Sequence, residues 1–475
     1  MRRLPLLTAA ATLSAALLSG CGGHASTTPQ HSPAVSGSAV AAYDDAVSTP
    51  QPDSVYPQHG HAEVDALHYE LHLTWNGTTL SGEESLEFRA SRASARISLD
   101  LGSALTPGAV MLDGTPVESS HTGDTLTLAH PVEADTRHTL SLSYTGTAQP
   151  VPDPSRRSDV QPLGLTRTPE GGLWTMQEPY GAFTWYAVND TPSDKALYDV
   201  RITVPAGMVG ISNGTLVEGP SGSTTTTTRW HSSAPMASYL TTLAVGRYTP
   251  THATSASGVP LTYWVPTDDQ QPLKDLEKTP DLLAWLEKRL GPYPFDSLSM
   301  VIVPAESSME TQTTLTLGDL PDDYSADTLL HEMAHQWYGD LVTPADWSDV
   351  WMNEGMATYL QLTWTDEAWD RSPGDSLSDF GLFEAEDRRK AGPPGDYKPD
   401  HFADDNVYAG PALMWDRVRR RVGDTEFWKL VRDWPAARSG TSVTRADYLS
   451  WLSTQSGVDL QPLMTRWLMS PTSPK

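Results

Sequence analysis

The sequence predicts a multidomain α+β fold, in which an all-β domain precedes a domain built from a small sheet and a helical body. Three observations carry this prediction. The chain has 475 residues, a length that suits two or three domains. Between residues 53 and 250, short segments alternate apolar and polar residues and are bounded by turn residues. From residue 251 to 475, apolar residues recur mainly at helical spacing.

The first domain, residues 53–250, is predicted to form a sandwich or a saddle of β-strands. Its clearest strand covers residues 67–73, where every second residue is apolar. Similar alternation marks residues 126–128, 139–144 and 200–204. No helix of convincing length is predicted in this domain.

The second domain, residues 251–475, is predicted to begin with strands at 259–265 and 300–304. Helical periodicity predicts helices over residues 273–290, 327–341, 351–364, 410–422, 425–434 and 445–453. This pattern indicates a small sheet followed by a helical body.

Composition excludes several classes of protein. An apolar fraction of 38% with 16 Trp supplies enough buriable surface to exclude a wholly disordered chain. The formal net charge of −27 argues against nucleic acid as a partner and against a basic surface that binds membranes. A single cysteine excludes disulfides within the chain and cysteine-rich metal sites.

The N-terminus, residues 1–20, is predicted to be a signal peptide, because a short basic start precedes an apolar run. The run ends in Leu-Ser-Gly before Cys21, which resembles the lipobox of bacterial lipoproteins. That resemblance implies cleavage before Cys21, lipidation there, and anchoring to the outer face of the cell membrane. An ordinary signal peptide with a stray cysteine is the alternative. We expect the general secretory route rather than twin-arginine export, and a flexible stalk over residues 21–52.

A candidate metal site begins with the sequence His-Glu-Met-Ala-His at residues 331–335. Residues four apart lie on one face of a helix, so His331 and His335 can bind the same ion. Glu332 lies between them and can accept a proton from a water beside the metal, which makes it the candidate general base. The apolar residues around the motif indicate a buried helix.

A catalytic zinc ion needs a third protein ligand and one open position. Glu354 is the candidate, because it is a carboxylate among Trp, Met, Ala and Leu residues, where a charge is costly unless paired or bound to metal. The alternative is that Glu354 occupies the first turn of a helix and only favours the helix dipole.

These segments together resemble the aminopeptidase N-like family of gluzincin zinc metallopeptidases. The resemblance rests on the Gln-Trp-Tyr-Gly-Asp that follows His335, on the Trp-Met-Asn-Glu-Gly around Glu354, and on the 18 residues between His335 and Glu354. It implies a thermolysin-like catalytic domain over residues 251–475, one Zn²⁺ per chain, and hydrolysis at free peptide N-termini. The chain is similar to a short, two-domain bacterial lipoprotein form of the family.

The resemblance also implies roles for four further residues. Met309 and Glu310 stand where the family has a Met-Glu pair whose glutamate binds the substrate's α-amine. Glu178 matches a second acid that holds the amine, with Met176 where the family has a glutamine. Tyr408 matches the tyrosine that stabilises the oxyanion, although Pro411 occupies the place of the family's glycine.

One departure from the family is large. Many members continue for hundreds of residues beyond the position of Lys475, so we expect a more open cleft. We also expect a monomer. Two other functions stay open at this point, a zinc endopeptidase and a surface lipoprotein that binds peptides without cleaving them.

Overall fold

The structure is a computed structural model that describes residues 43–157 and 161–474. The predicted signal peptide, Cys21 and most of the predicted stalk lie outside the described residues. Among the helices of the described part, none combines the length and the apolarity needed to cross a bilayer.

The first domain is built from short and medium-length strands. In chain order they are β1 (Val64–Trp75), β2 (Thr79–Ala90), β3 (Ile97–Asp100), β4 (Leu105–Leu112), β5 (Thr115–Pro116), β6 (Ser119–Thr122), β7 (Thr125–Leu128), β8 (Arg137–Thr147), β9 (Gly164–Arg167), β10 (Leu173–Met176), β11 (Lys195–Pro205), β12 (Val209–Ser212), β13 (Thr215–Ser221), β14 (Thr225–Ala237) and β15 (Leu243–Gly246).

Eight of these strands form the main sheet, in the order β13-β14-β11-β1-β2-β8-β4-β5. Strands β1 and β11 pair in parallel, and the other neighbours are antiparallel. Two smaller sheets of the domain have the strand orders β12-β15-β10-β9 and β3-β7-β6. Leu71 and Leu73 of β1 are buried while the residues next to them are exposed, so the alternation predicted there is observed.

The second domain contains the remaining elements. They are β16 (Tyr248–Thr254), β17 (Pro260–Pro266), α1 (Leu273–Leu276), α2 (Thr279–Leu290), β18 (Leu298–Ile302), β19 (Thr314–Leu317), α3 (Ala326–His335), β20 (Val342–Pro344), α4 (Trp351–Ala368), α5 (Asp375–Phe380), α6 (Glu384–Ala391), α7 (Asn406–Val422), α8 (Asp424–Ala437), β21 (Thr441–Val443), α9 (Arg445–Ser456) and α10 (Gln461–Met469). A four-stranded sheet, β16-β17-β18-β19, precedes the helical body, so the predicted fold class is confirmed.

Several predicted boundaries differ from the structure. The helix predicted over 273–290 is divided into α1 and α2, with a proline in the first turn of α2. Helix α3 ends at His335 rather than at residue 341, because the chain turns at Gly339, whose φ is 135°. Helices α5, α6 and α10 were not predicted.

The segment before the first domain also differs from the prediction. Residues 43–52, assigned to the flexible stalk, lie against the β-domain: the Ser48 amide donates to Asp65 Oδ1 at 2.9 Å, and the Gln51 amide donates to Ser193 Oγ at 3.0 Å. Ala46 is buried. The folded part therefore includes residues from Tyr43 onward.

The β-domain fixes two segments of the second domain that carry predicted site residues. Asn213 Nδ2 donates to the carbonyl of Gln312 at 2.7 Å, and the Gly214 amide donates to Thr313 Oγ1 at 2.6 Å. Lys195 Nζ donates to the carbonyl of Asp340 at 2.6 Å. The chain just after Glu310 and the turn just after α3 are thus held by the same domain.

Candidate metal centre

Helices α3 and α4 bring the three predicted metal ligands together. Helix α3 begins after Ser325, whose Oγ caps its first turn, and places His331 and His335 one turn apart. Glu354 lies in the first turn of α4, and its Oε2 is 3.2 Å from His331 Nε2 and 3.5 Å from His335 Nε2. The three side chains therefore converge on one point from two helices.

The opposite nitrogen of each imidazole has an oxygen partner that orients the ring. His331 Nδ1 lies 3.1 Å from Gln361 Oε1, and His335 Nδ1 lies 3.1 Å from the carbonyl of Tyr338. A carbonyl oxygen only accepts, so these contacts place a proton on Nδ1 and direct the Nε2 atom of each ring at Glu354. Two imidazole nitrogens and a carboxylate oxygen form a donor set that suits Zn²⁺.

Glu354 is held in its charged form by these histidines. Burial raises the pKa of its carboxyl group, but His335 and then His331 lower it, and the resulting pKa is about 2. The side chain is 3% exposed. Its position in the first turn of α4 agrees with the alternative of a dipole-favouring acid, but its contacts with two histidines go further than that alternative requires.

The surroundings of Glu332 raise the pKa of its carboxyl group instead of lowering it. Burial raises the pKa of its carboxyl group, His335 opposes that change, and Glu310 and Glu354 raise the pKa further, to about 8. One ligand atom from each of Glu332, Glu310 and His335 lies within 4.8 Å of the other two. The side chain therefore lies beside the candidate metal ligands, in a group with Glu310 that shares His335 with them.

Hydrogen bonds to the backbone hold the segment that carries Glu310. The Met309 amide donates to the carbonyl of Thr316 at 2.8 Å, and the Thr316 amide donates back to Met309 at 3.0 Å. Gln336 Nε2 donates to the carbonyl of Glu310 at 3.1 Å. This bridge to β19, together with the contact to the residue after His335, fixes the segment relative to the metal ligands.

The carboxyl groups of Glu178 and Glu310 form an acidic pair. One oxygen from each lies within 4.8 Å of the other and of a Glu354 oxygen. Their Oε1 atoms are buried and have no hydrogen-bond partner among the described residues. Burial raises the pKa of Glu178 well above its usual range, and Glu310 adds to that effect. Such a group of buried acids favours cations, so the residues fit both a metal ion and a substrate ammonium.

Tyr408 lies in the first turn of α7, beside the metal ligands. Its ring stacks on that of His331, with centroids 6.0 Å apart and an interplanar angle of 30°. Burial raises the pKa of its hydroxyl well above the usual range, so the group is a neutral donor. Pro411, where the family has a glycine, packs closely on Gly355, the residue after Glu354.

All of these side chains face one cleft of about 400 Å³. The predicted site residues that line it are Glu178, Met309, Glu310, His331, Glu332, His335, Glu354 and Tyr408. Met176 also lines it, whereas the adjacent Gln177 is buried and donates to the carbonyls of Ser238 and Thr241. The structure thus brings every site residue predicted within its described part into one cavity.

Sequence reasoning missed some of the cleft. Gln361 is seven residues after Glu354, two helical turns on the same face, so spacing could have found it. Arg157 and Gln161 also line the cleft. They belong to the connection between β8 and β9, where the sequence carries no periodic pattern, and no local signal marks them.

Two family models match the chain. The model described as the peptidase M1 N-terminal domain matches residues 65–240, and the model described as the peptidase family M1 domain matches residues 274–467. Together they cover the β-domain and the domain that carries the candidate metal centre.

Among curated relatives, aminopeptidase N of Acetobacter pasteurianus is 27% identical over 303 residues, which is 59% of this chain and 84% of the relative. A probable aminopeptidase 1 of Saccharolobus solfataricus is 24% identical over 86% of this chain and 53% of its own length. The chain spans about half the length of that archaeal relative.

Solved structures include an M1 zinc metallopeptidase from Deinococcus radiodurans. It superposes with a TM-score of 0.79 at 27% identity, over 89% of this chain and 97% of its own. A mutant of the Deinococcus enzyme was solved with a Tyr-Ser-Ala substrate, and it superposes with the same TM-score at 26% identity.

Proposed function

Because the chain belongs to peptidase family M1, as a zinc metallo-aminopeptidase of the two-domain fold, we propose that it removes N-terminal residues from peptides with Glu332 as the general base. The observation that carries this proposal is the position of Glu178 and Glu310, each with a buried Oε1 atom that has no partner among the described residues, next to the three candidate metal ligands. A substrate ammonium bound there would place its first peptide bond beside the zinc ion that these ligands would hold.

His331, His335 and Glu354 would hold the zinc ion. When bound, zinc supplies a Lewis acid that polarises the scissile carbonyl and makes water more acidic. Gln361 and the carbonyl of Tyr338 keep the two imidazoles in the tautomer that binds metal.

The residues of the chain move the proton and stabilise the charge. Glu332 accepts a proton as water adds to the carbonyl carbon, and returns it to the nitrogen as the C–N bond breaks. Tyr408 donates its hydroxyl proton in a hydrogen bond to the developing oxyanion. Glu310 and Glu178 bind the free α-amine, and Met309 and Met176 line the space beside it. A peptide with a free N-terminus is therefore the proposed substrate.

A matched pair of peptides tests this proposal. Tyr-Ser-Ala, the peptide bound to the Deinococcus relative, is compared with its N-acetylated form, and release of the first residue is followed by chromatography. We expect cleavage of the free peptide, loss of nearly all activity on the acetylated one, and inhibition by a chelator. Equal cleavage of both peptides would indicate an endopeptidase, and the absence of cleavage would indicate a binding protein.

We also propose that the protein is exported and anchored by a lipid at Cys21, so that it acts on peptides outside the cell. The support is the pattern of residues 1–21 described above. A Cys21→Ser variant is expected in the medium, while the parent protein sediments with membranes. If the variant stays with the membranes, the proposed anchor is wrong.

A further inference from the structure

The connection between β8 and β9 in the β-domain reaches into the cleft. At its base, the Val151 amide donates to the carbonyl of Leu163 at 2.9 Å, and the Leu163 amide donates back at 2.8 Å. Beyond this bridge, Arg157 and Gln161 line the cavity together with the candidate metal ligands. Residues from the first domain therefore share the cleft with the site residues of the second.

Arg157 contacts two points on the segment that carries Tyr408. Its Nη1 donates to the carbonyl of Ala403 at 2.7 Å and lies 3.5 Å from the Tyr408 hydroxyl. Ala403 has a φ of 48°, a left-handed conformation that is unfavourable for a non-glycine residue. One guanidinium thus contacts both the turn that precedes α7 and the phenol of Tyr408 in the first turn of α7.

The contact between Arg157 and Tyr408 determines whether the Tyr408 hydroxyl donates or accepts there. A guanidinium has five N–H donors and no acceptor, so the Tyr408 oxygen can only accept from Arg157. The phenol's own O–H then stays available to donate into the cleft. A hydroxyl that accepts from a cation becomes a stronger donor, because hydrogen bonds in a chain polarise one another.

The charge around the cleft makes this contact important. Of the described residues that line the cavity, eight are acidic, and Arg157 is the one arginine or lysine. An oxyanion that develops among so many carboxylates is disfavoured unless positive charge lies nearby. Arg157 lies on the Tyr408 side of the cavity, where the proposed mechanism requires a donor.

We propose that Arg157 is a positioning residue of the aminopeptidase: it holds the Tyr408 hydroxyl with its O–H directed at the oxyanion and strengthens it as a donor. This inference rests on the proposed function and adds a residue from the β-domain to it. The same connection also contacts the segment that leads to Glu310, since Gln161 Oε1 accepts from the Glu306 amide at 2.9 Å.

The test is a double-mutant cycle on Arg157 and Tyr408 in the full chain, with Tyr-Ser-Ala as substrate. Arg157→Met should lower kcat about tenfold. This is less than the hundredfold or more expected when an oxyanion donor is lost completely, because Tyr408 is still present. KM should change less than twofold. In a Tyr408→Phe background, Arg157→Met should have almost no further effect, because its route to the oxyanion is gone. Arg157→Lys should restore part of kcat.

Arg156→Met is the matched control. It removes the same charge from the neighbouring residue, whose exposed guanidinium pairs with Asp400 on the surface, and it should leave kcat unchanged. Zinc content and thermal unfolding are measured for every variant, so that a folding defect is recognised.

The outcomes separate this inference from the proposed function. If the parent protein cleaves Tyr-Ser-Ala but Arg157→Met leaves kcat unchanged, or lowers it equally with and without the Tyr408 hydroxyl, the inference is wrong and the function stands. Arg157→Met could instead raise KM for peptides with a free C-terminal carboxylate and leave KM for Tyr-Ser-Ala-amide unchanged. That result would assign Arg157 to substrate binding and contradict the inference. If the parent protein cleaves no free peptide, the proposed function itself fails.

Discussion

Glu354 and Glu332 lie in the same cleft, yet their surroundings move their pKa values in opposite directions. Glu354 contacts two imidazoles and has a pKa of about 2, whereas Glu332 lies among other acids and has a pKa of about 8. The first suits a permanent anionic ligand, and the second suits a group that takes up and releases a proton. Chemically identical side chains thus receive separate roles from their neighbours.

Exchanging each carboxylate for an amide tests this division. Glu332→Gln should keep its zinc but lose turnover by about a thousandfold, because the proton acceptor is gone. Glu354→Gln should lose zinc affinity, because a charged ligand is gone. Zinc per chain and kcat are measured for both variants. The reverse pattern would contradict the assigned roles.

Gln361 illustrates how a residue outside the ligand set contributes. Its Oε1 holds His331 Nδ1 at 3.1 Å, and Gln361→Leu would remove that acceptor at similar volume. We expect zinc affinity to fall by about ten- to hundredfold, the usual effect of losing such a partner. Competition with a chelator measures it. Gln361→Glu keeps an acceptor and is the control, and unchanged affinity in the leucine variant would show that the contact does not orient His331.

At the scale of elements, the approach of α4 to α7 determines the geometry of the cleft, since α4 carries Glu354 and α7 carries Tyr408. A Cβ added at Gly355 would lie 2.3 Å from Pro411 Cβ, so these helices meet where one has no side chain. The ring of Pro411 is rigid and cannot move aside alone. The glycine after the metal ligand is therefore explained by packing.

Gly355→Ala should push α7 from α4 and destabilise the fold by about 1–3 kcal/mol, the usual cost of overpacking. Because Tyr408 moves with α7, kcat should fall as well. Denaturant unfolding and kcat are the measurements. Gly219→Ala adds the same methyl group where no atom lies within 4 Å and should change neither. A stable, fully active Gly355→Ala variant would contradict this account of the helix contact.

Strand β2 places a carboxyl group on the inward face of the main sheet. Glu84 is 3% exposed, and burial raises its pKa to about 8, although the Ala187 amide donates to Oε2 at 3.0 Å. The folded state therefore keeps this proton up to higher pH than the unfolded chain, where the group titrates near 4.5. Stability should fall as pH rises from about 4.5 to about 8.

A Glu84→Gln variant removes this dependence. Its melting temperature should match that of the parent near pH 4.5 and exceed it by several degrees at pH 8, where the parent loses stability to the buried charge. Glu83→Gln, on the exposed face of the same strand, is the control. An equal difference at both pH values would show that the group does not titrate in this window.

At the scale of the whole molecule, the sequence predicted the division into a β-domain and a helical domain because both periodicities are local properties of the chain. The metal ligands were predicted for the same reason, since His331 and His335 share a helix turn and Glu354 lies in a recognisable segment. Short helices such as α5 and α6 were missed because few apolar residues mark them. The end of α3 was missed because the apolar pattern continues into the turn at Gly339, whose φ is 135°.

The resemblance to the family predicted Glu178 from the β-domain, but Arg157, which the same domain brings to the cleft, could not be predicted. Arg157 reaches Tyr408 across 251 positions of sequence, and Lys195 donates to the carbonyl of Asp340 across 145. Such contacts depend on how the domains meet, which no local pattern encodes. The cleft is therefore a product of both domains, and the β-domain is part of the catalytic unit rather than a separate support.

The central claim, that His331, His335 and Glu354 hold the zinc ion on which peptide cleavage depends, is tested most directly by titrating metal back into stripped protein. Zinc is removed with a chelator and added in steps, and release of tyrosine from Tyr-Ser-Ala is followed. The account predicts that the rate rises linearly and stops at one zinc per chain. Full activity of the stripped protein, or zinc binding without any gain of activity, would contradict it.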